Sequence, residues 1–263
     1  MPTPGTFRQP QRLDDRSDPA VLYVLSYLIT RTVVGFLGIL LPIAFIVGEA
    51  FYLRGSVQIR GSISAYYHTP MRDLFVAGLC VIGFLLMTYM SAQTRTWDFW
   101  LSLVAGIAVV GVAFFPTRRP GLASGAPPCG GQPVPAGCAP MQQALGETTT
   151  AVIHFTCAAV FMLSLAAIAF LFGYREKRFG INPGMALVQQ ICGWAIIAAI
   201  AWAVLGFIVD LTVWELTPLY VGEVVSVWAF GISWLLKGRD LRALLGLRNV
   251  PRSPRTAGEL TKV

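Results

Sequence analysis

The chain has only two histidines. Both fall beside carboxylates and hydroxyls at the edges of long apolar runs. The densest group is GSISAYYHTPMRDLF, Gly61 to Phe75, which supplies Ser62, Ser64, Tyr66, Tyr67, His68, Arg72 and Asp73. Glu49 ends the apolar run before it, His154 lies in about the first turn of a later run, Asp210 ends another, and Glu223 lies about a turn inside the last. Ionisable groups where hydrocarbon meets water are costly and usually functional. Three chemistries compete for them. His68 and His154 with Glu49, Asp73 or Glu223 would give a nitrogen and oxygen shell suited to zinc with one position open for water. Ser62 or Ser64 with His68 or His154 as base, and Asp73 or Glu223 as the orienting carboxylate, would give nucleophilic catalysis. Alternatively Arg72 pairs with Glu49 or with groups near Asp73, and the segment is an ordered cap. There is no HExxH pair and no GxSxG turn, so all three readings stay open.

The elements that must position these residues are membrane helices. Residues of apolar type make up 55% of the chain and charged ones 13%, and the apolar residues come in blocks. Six blocks approach the ~20 residues that cross a hydrocarbon core: Val33 to Leu53, Asp73 to Met90, Trp97 to Phe115, Thr150 to Phe172, Met185 to Val209 and Leu219 to Leu236. Alternating strand-sized segments are absent, which excludes a membrane barrel. The expected fold is therefore all-α: a polytopic transmembrane helical bundle of six spans. A shorter apolar stretch, Pro19 to Thr30, starts at Asp18 and Pro19 and closes at Arg31. It is too short to span and reads as an N-terminal interfacial helix rather than a cleaved signal. Pro42 should kink the first span. Residues 1–18 read as a disordered cytoplasmic arm, 19–237 as the membrane domain, and 238–263 as a basic cytoplasmic tail.

Of the 20 Lys and Arg residues, only Arg54, Arg60, Arg72, Arg118 and Arg119 fall on the side opposite the termini. The positive-inside rule then places both termini in the cytoplasm of a cell with the chain in its inner membrane. Topology and anionic headgroups account for the net charge of +7, so lipids are the expected partners and nucleic acid is not needed. Cys129 and Cys138 lie in the Gly- and Pro-rich outer loop, residues 116–148, where an oxidising exterior permits a disulfide. Cys80, Cys157 and Cys192 fall inside spans and read as packing residues.

Two helices extend the polar pattern inward. Glu223, Ser226 and Ser233 recur at helical spacing, as do His154, Cys157 and Ser164, which predicts polar stripes facing the bundle. Small polar residues also serve close packing, so a water-filled pocket and a packed seam both fit the stripes. Asp98, at a helix start near Arg95, has an ordinary explanation in the helix dipole.

The blocks GSISAYYHTPMRDLFVAGL, then FFPT after Asp98, then WAFGISWLLKG resemble a group of bacterial six-span membrane proteins of uncharacterised activity sharing the pattern SISxYYxTxxRDxFV. The resemblance covers most of the membrane portion and implies the fold without an activity. More remotely, Glu49 followed by a serine-rich loop entering the second span is similar to the ceramidase and adiponectin-receptor (CREST) superfamily of membrane hydrolases. That likeness implies metal-dependent amide or ester hydrolysis in the outer half of the bundle, although the superfamily's paired histidines of the last helix have no counterpart here. The leading expectation is a lipid-directed hydrolase; the rivals are a small-solute or proton-coupled transporter and a noncatalytic partner subunit. A transporter would be expected to show inverted repeats and broken helices, and neither is visible in the sequence.

Overall fold

The apolar stretch expected to form a separate short helix is instead the beginning of the first long one. In the computed structural model, α1 runs unbroken from Pro19 to Tyr52 through Pro42. Neither Arg31 nor any Gly or Pro between Leu28 and Val34 interrupts the hydrogen-bonding pattern, so there is nothing to end a helix at Thr30. The structure describes residues 19–89, 91, 94–121, 125–179, 183–209 and 216–237. The expected arm, the expected tail and Asp210 lie outside them.

Five long helices and two short pieces follow. A 3₁₀ turn covers Ile63–His68. Then come α2 (Arg72–Thr88), α3 (Trp97–Phe114), the short α4 (Pro140–Leu145), α5 (Glu147–Phe179), α6 (Pro183–Ile208) and α7 (Pro218–Lys237). Local chemistry sets the starts. Thr96 caps α3 by accepting from the Phe99 amide at 3.4 Å, and Thr217 caps α7 by accepting from Tyr220 at 3.0 Å with Pro218 at the first helical position. The segment between α3 and α5 contains α4 and brings the Sγ atoms of Cys129 and Cys138 to 2.03 Å, disulfide distance.

Among the described residues, five helices are long and apolar enough to cross a membrane: Ser26–Tyr52, Trp97–Phe114, Glu147–Arg178, Pro183–Ile208 and Pro218–Lys237. Their outward faces carry Phe36 and Leu40 on α1, Ile107 on α3, Leu163 on α5, and Trp194 and Phe207 on α6, all exposed. In water such a belt would be an aggregation hazard; against lipid chains it is solvated. The chain is a multi-pass helical membrane protein.

The helices form a closed ring: α1 packs on α2, α2 on α3, α3 on α5, α5 on α6, α6 on α7, and α7 back on α1. Lipid supplies no hydrophobic drive between helices, so close backbone approach must hold the seams. Two seams rest on facing glycines. A Cβ on Gly35 of α1 would lie 2.9 Å from the Gly231 carbonyl of α7, and one on Gly231 would lie 2.8 Å from the Gly35 carbonyl. Gly83 of α2 and Gly106 of α3 repeat this, at 3.0 and 2.7 Å. The 3₁₀ turn Ile63–His68 sits against α2 and α7 at one end of the ring, referred to below as the capped end.

Candidate functional site

Ser62 caps the 3₁₀ turn by accepting from the Ala65 amide at 3.0 Å. The turn's tight winding drives Ser64, Tyr66 and Tyr67 into the ring, where all three are buried. Ser64 then meets residues from two helices. His154 of α5, 1% exposed, places Nε2 2.9 Å from Ser64 Oγ. Its Nδ1 lies 2.6 Å from the Phe115 carbonyl at the end of α3. A carbonyl only accepts, so Nδ1 carries the proton and Nε2 of the neutral ring is free to accept from the serine. On the other side Glu223 of α7 accepts from the Ile63 amide through Oε2 at 2.5 Å, and its Oε1 is 3.4 Å from Ser64 Oγ.

This chain of atoms constrains its own protons. Ser64 has one hydroxyl proton and two partners. If it goes to His154, the Glu223 contact is a hydrogen bond only when the carboxyl is protonated; if it goes to Glu223, His154 must carry a second proton. One additional proton therefore satisfies every position, and it can reside at either end of the serine. The arrangement has the nucleophile-to-base bond and the base-to-orienter bond of a serine nucleophile. It departs from the expected triad in one respect: the carboxylate touches the hydroxyl, and a backbone carbonyl orients the imidazole.

The other expected site residues are distributed around this pair. Glu49, fully buried, pairs with Arg60, whose Nε donates to Oε1 at 3.0 Å and Oε2 at 3.2 Å while its Nη2 also reaches Oε1. Arg72 was the cation expected there; it lies instead over the Tyr67 ring, 4.8 Å from its centroid, with Nη2 3.2 Å from the Tyr67 hydroxyl. His68 donates from Nε2 to the Thr117 carbonyl at 2.9 Å, an oxygen that also accepts from Gln142 at 2.8 Å. Burial, with Arg72 and Arg119 adding to it, holds His68 below its ordinary 6.5 against the pull of the Thr117 bond. Asp73 is exposed and faces an apolar cavity beside Tyr67 and Arg72. Of His68, Asp73, His154 and Glu223, expected to share one pocket, the structure joins His154 and Glu223 through Ser64 and gives His68 and Asp73 separate surroundings. Among the described residues no three His, Cys, Asp or Glu side chains come together as a metal shell. The zinc set of His68, His154, Glu49 and Asp73 is not assembled: Arg60 holds Glu49, backbone carbonyls hold His68 and His154, and Asp73 faces a separate cavity.

Sequence reasoning missed a second polar cluster at the opposite end of the ring. Arg31 of α1 is buried among four aromatic rings, Tyr27, Tyr89, Phe172 and Trp234, at 4.6, 5.3, 4.5 and 6.0 Å, and its Nε donates to Tyr89 at 2.6 Å. Asp98 pairs with Arg175 of α5 rather than with Arg95, and Glu176 pairs with Lys237. Gln189 of α6 donates to the Ser233 carbonyl at 2.9 Å and accepts from the Ser233 hydroxyl. The available signal was an arginine inside an apolar run with a tyrosine one turn earlier. Read as the end of a short helix, it lost that meaning.

Comparison of the chain with protein-family models, with curated proteins and with solved structures finds no match in any of the three.

Proposed function

We propose that the protein is a six-span membrane hydrolase of the serine-nucleophile type, acting on lipid esters or amides at the outer face of a bacterial inner membrane. α2 is the sixth span. It has 17 residues, about 25 Å of helix, and Tyr89, which follows it, stacks on Tyr27 at 4.9 Å and packs at a tilt against Trp234 at 4.8 Å at the end opposite the 3₁₀ turn. α2 thus runs the depth of the ring as its neighbours do. The cation asymmetry supports the capped end as the outer one and the cytoplasm as the home of both termini.

The observation that carries the activity is the 2.9 Å bond between Ser64 Oγ and His154 Nε2, with the imidazole fixed through Nδ1. In the reaction, the Ser64 oxygen attacks the acyl carbonyl as its proton passes to His154. His154 returns that proton to the leaving alcohol or amine, and water then releases the acyl group by the reverse transfer. Membrane preparations treated with a fluorophosphonate probe test the reading. The expected result is an adduct on Ser64 that disappears in Ser64→Ala and falls at least ~100-fold in His154→Gln, the range for loss of a general base. An unmodified Ser64 in the native chain overturns it.

A second reading, proton-coupled transport, rests on a different observation. The interior stripe Glu223, Ser226 and Ser233 of α7 continues through Gln189 and ends near the Lys237 and Glu176 pair at the opposite end. Proteoliposomes carrying a pH gradient distinguish it: dissipation that Glu223→Gln abolishes favours transport, and a gradient held equally by both proteins removes it.

A further inference from the structure

Two cavities at the capped end share Tyr67 and Arg72 as their common wall. One, of about 350 Å³, is polar, with His68, Thr69 and Arg119 on its other sides. The second, of about 520 Å³, is walled by Val76, Ala77, Ala113, Phe114 and Met141. Phe114 and Met141 are also exposed, so this half opens to the surface through apolar side chains. The cleft is therefore amphipathic along its length, with a guanidinium at the junction.

Charge decides what fits. Glu147 engages Arg119, which also donates to the carbonyls of Ala136 and Pro127 at 3.0 and 2.8 Å. Asp73 lies on the apolar half only. Among the described residues the Arg72 guanidinium has no carboxylate partner, and its one hydrogen bond is to the Tyr67 hydroxyl. No carboxylate lines the polar half. A headgroup bearing an ammonium would face the Arg72 guanidinium there with no carboxylate in the lining to receive it, whereas a hydroxyl or anionic headgroup meets a donor.

We propose that this cleft holds one phospholipid with a non-cationic headgroup: its phosphate on Arg72, its headgroup in the polar cavity, and one acyl chain in the apolar cavity between α2, α3 and α4. The site is separate from the Ser64 and His154 pair, so lipid retention and probe labelling can each fail without the other. The test is native mass spectrometry of the full chain released from detergent with phosphatidylglycerol or phosphatidylcholine. The expected result is at least about tenfold greater retention of phosphatidylglycerol, the scale of one charge-assisted hydrogen bond, lost in Arg72→Gln. Ala77→Trp, which fills the apolar half from an exposed position, should also release the lipid while leaving Arg72 in place. Excess inorganic phosphate should not displace the lipid, because it cannot replace the acyl chain. Equal retention of the two lipids, unchanged retention in Arg72→Gln or Ala77→Trp, or displacement by phosphate alone overturns the proposal.

Discussion

The buried carboxylate of Glu49 depends on one side chain. Removing a partner from a buried ion pair costs about 3–5 kcal/mol; the Arg60 side chain is 34% exposed, so water enters part of the gap. Arg60→Ala should therefore lower stability by about 2–3 kcal/mol, below the buried-pair range. Glu49→Gln, which leaves no buried charge and only the partly exposed Arg60 cation, should cost less. Unfolding in detergent of both variants checks the order, and equal losses would contradict the pairing. His68 makes a pH-dependent contribution of the opposite kind. Its folded value is depressed below 6.5 by burial, so an unfolded loop binds the proton first on acidification. The stabilising contribution is complete above about pH 6.5 and is lost as pH falls through the folded value. Proteolysis of the outer loop should accelerate over that acid window, and His68→Gln, whose amide can still donate to Thr117, should remove the acceleration. Ser64, His154 and Glu223 were legible in the sequence because a polar group in an apolar run is costly enough to stand out. Their partnership was not, since it joins residues 90 and 159 positions apart and only the ring brings them together. For the same reason nothing in the sequence distinguished Arg60 from Arg72 as the partner of Glu49.

Among the elements, the seams are the points of greatest sensitivity. Substituting alanine at Gly231 places a methyl carbon 2.8 Å from a backbone oxygen that no rotamer can move. Overpacking of this kind costs about 1–3 kcal/mol, so Gly231→Ala should lower thermal stability in detergent more than alanine at Gly55, whose Cβ meets nothing within 4 Å but whose positive φ of 95° adds its own strain. The long apolar blocks gave the helices readily because their length exceeds anything a soluble core requires. The boundaries were harder. α5 extends to Phe179, past the expected end at Phe172, because Tyr174, Arg175 and Glu176 continue a helix whose polar groups find partners on α3 and α7. The loop between α3 and α5 was read from its Gly and Pro content, and that composition conceals Arg119, whose bonds to Pro127, Ala136 and Glu147 tie both flanks of the cysteine pair to the start of α5.

For the whole molecule, the proposal that α2 is a sixth span makes the number of crossings even and predicts both ends of the described bundle on one side. Reporter fusions at Val263 and near Gly125 should give cytoplasmic and external signals respectively; a cytoplasmic signal at Gly125 would reverse the assignment and move the Ser64 site to the inner face. The closed ring carries a consequence in time rather than in space. Of the described helices α1 is made first and α7 last, yet the Gly35 and Gly231 seam joins them, and α7 also brings Glu223 to the 3₁₀ turn and Trp234 to Arg31. During synthesis the earlier helices must wait with the Gly35 flank of α1 uncovered, exposed to lipid or to whatever insertion machinery shelters it. Completion of α7 is thus the event that closes the ring, and a chain ending before Pro218 would offer the cell's quality control an open flank at Gly35 and an Ile63 amide without its Glu223 acceptor.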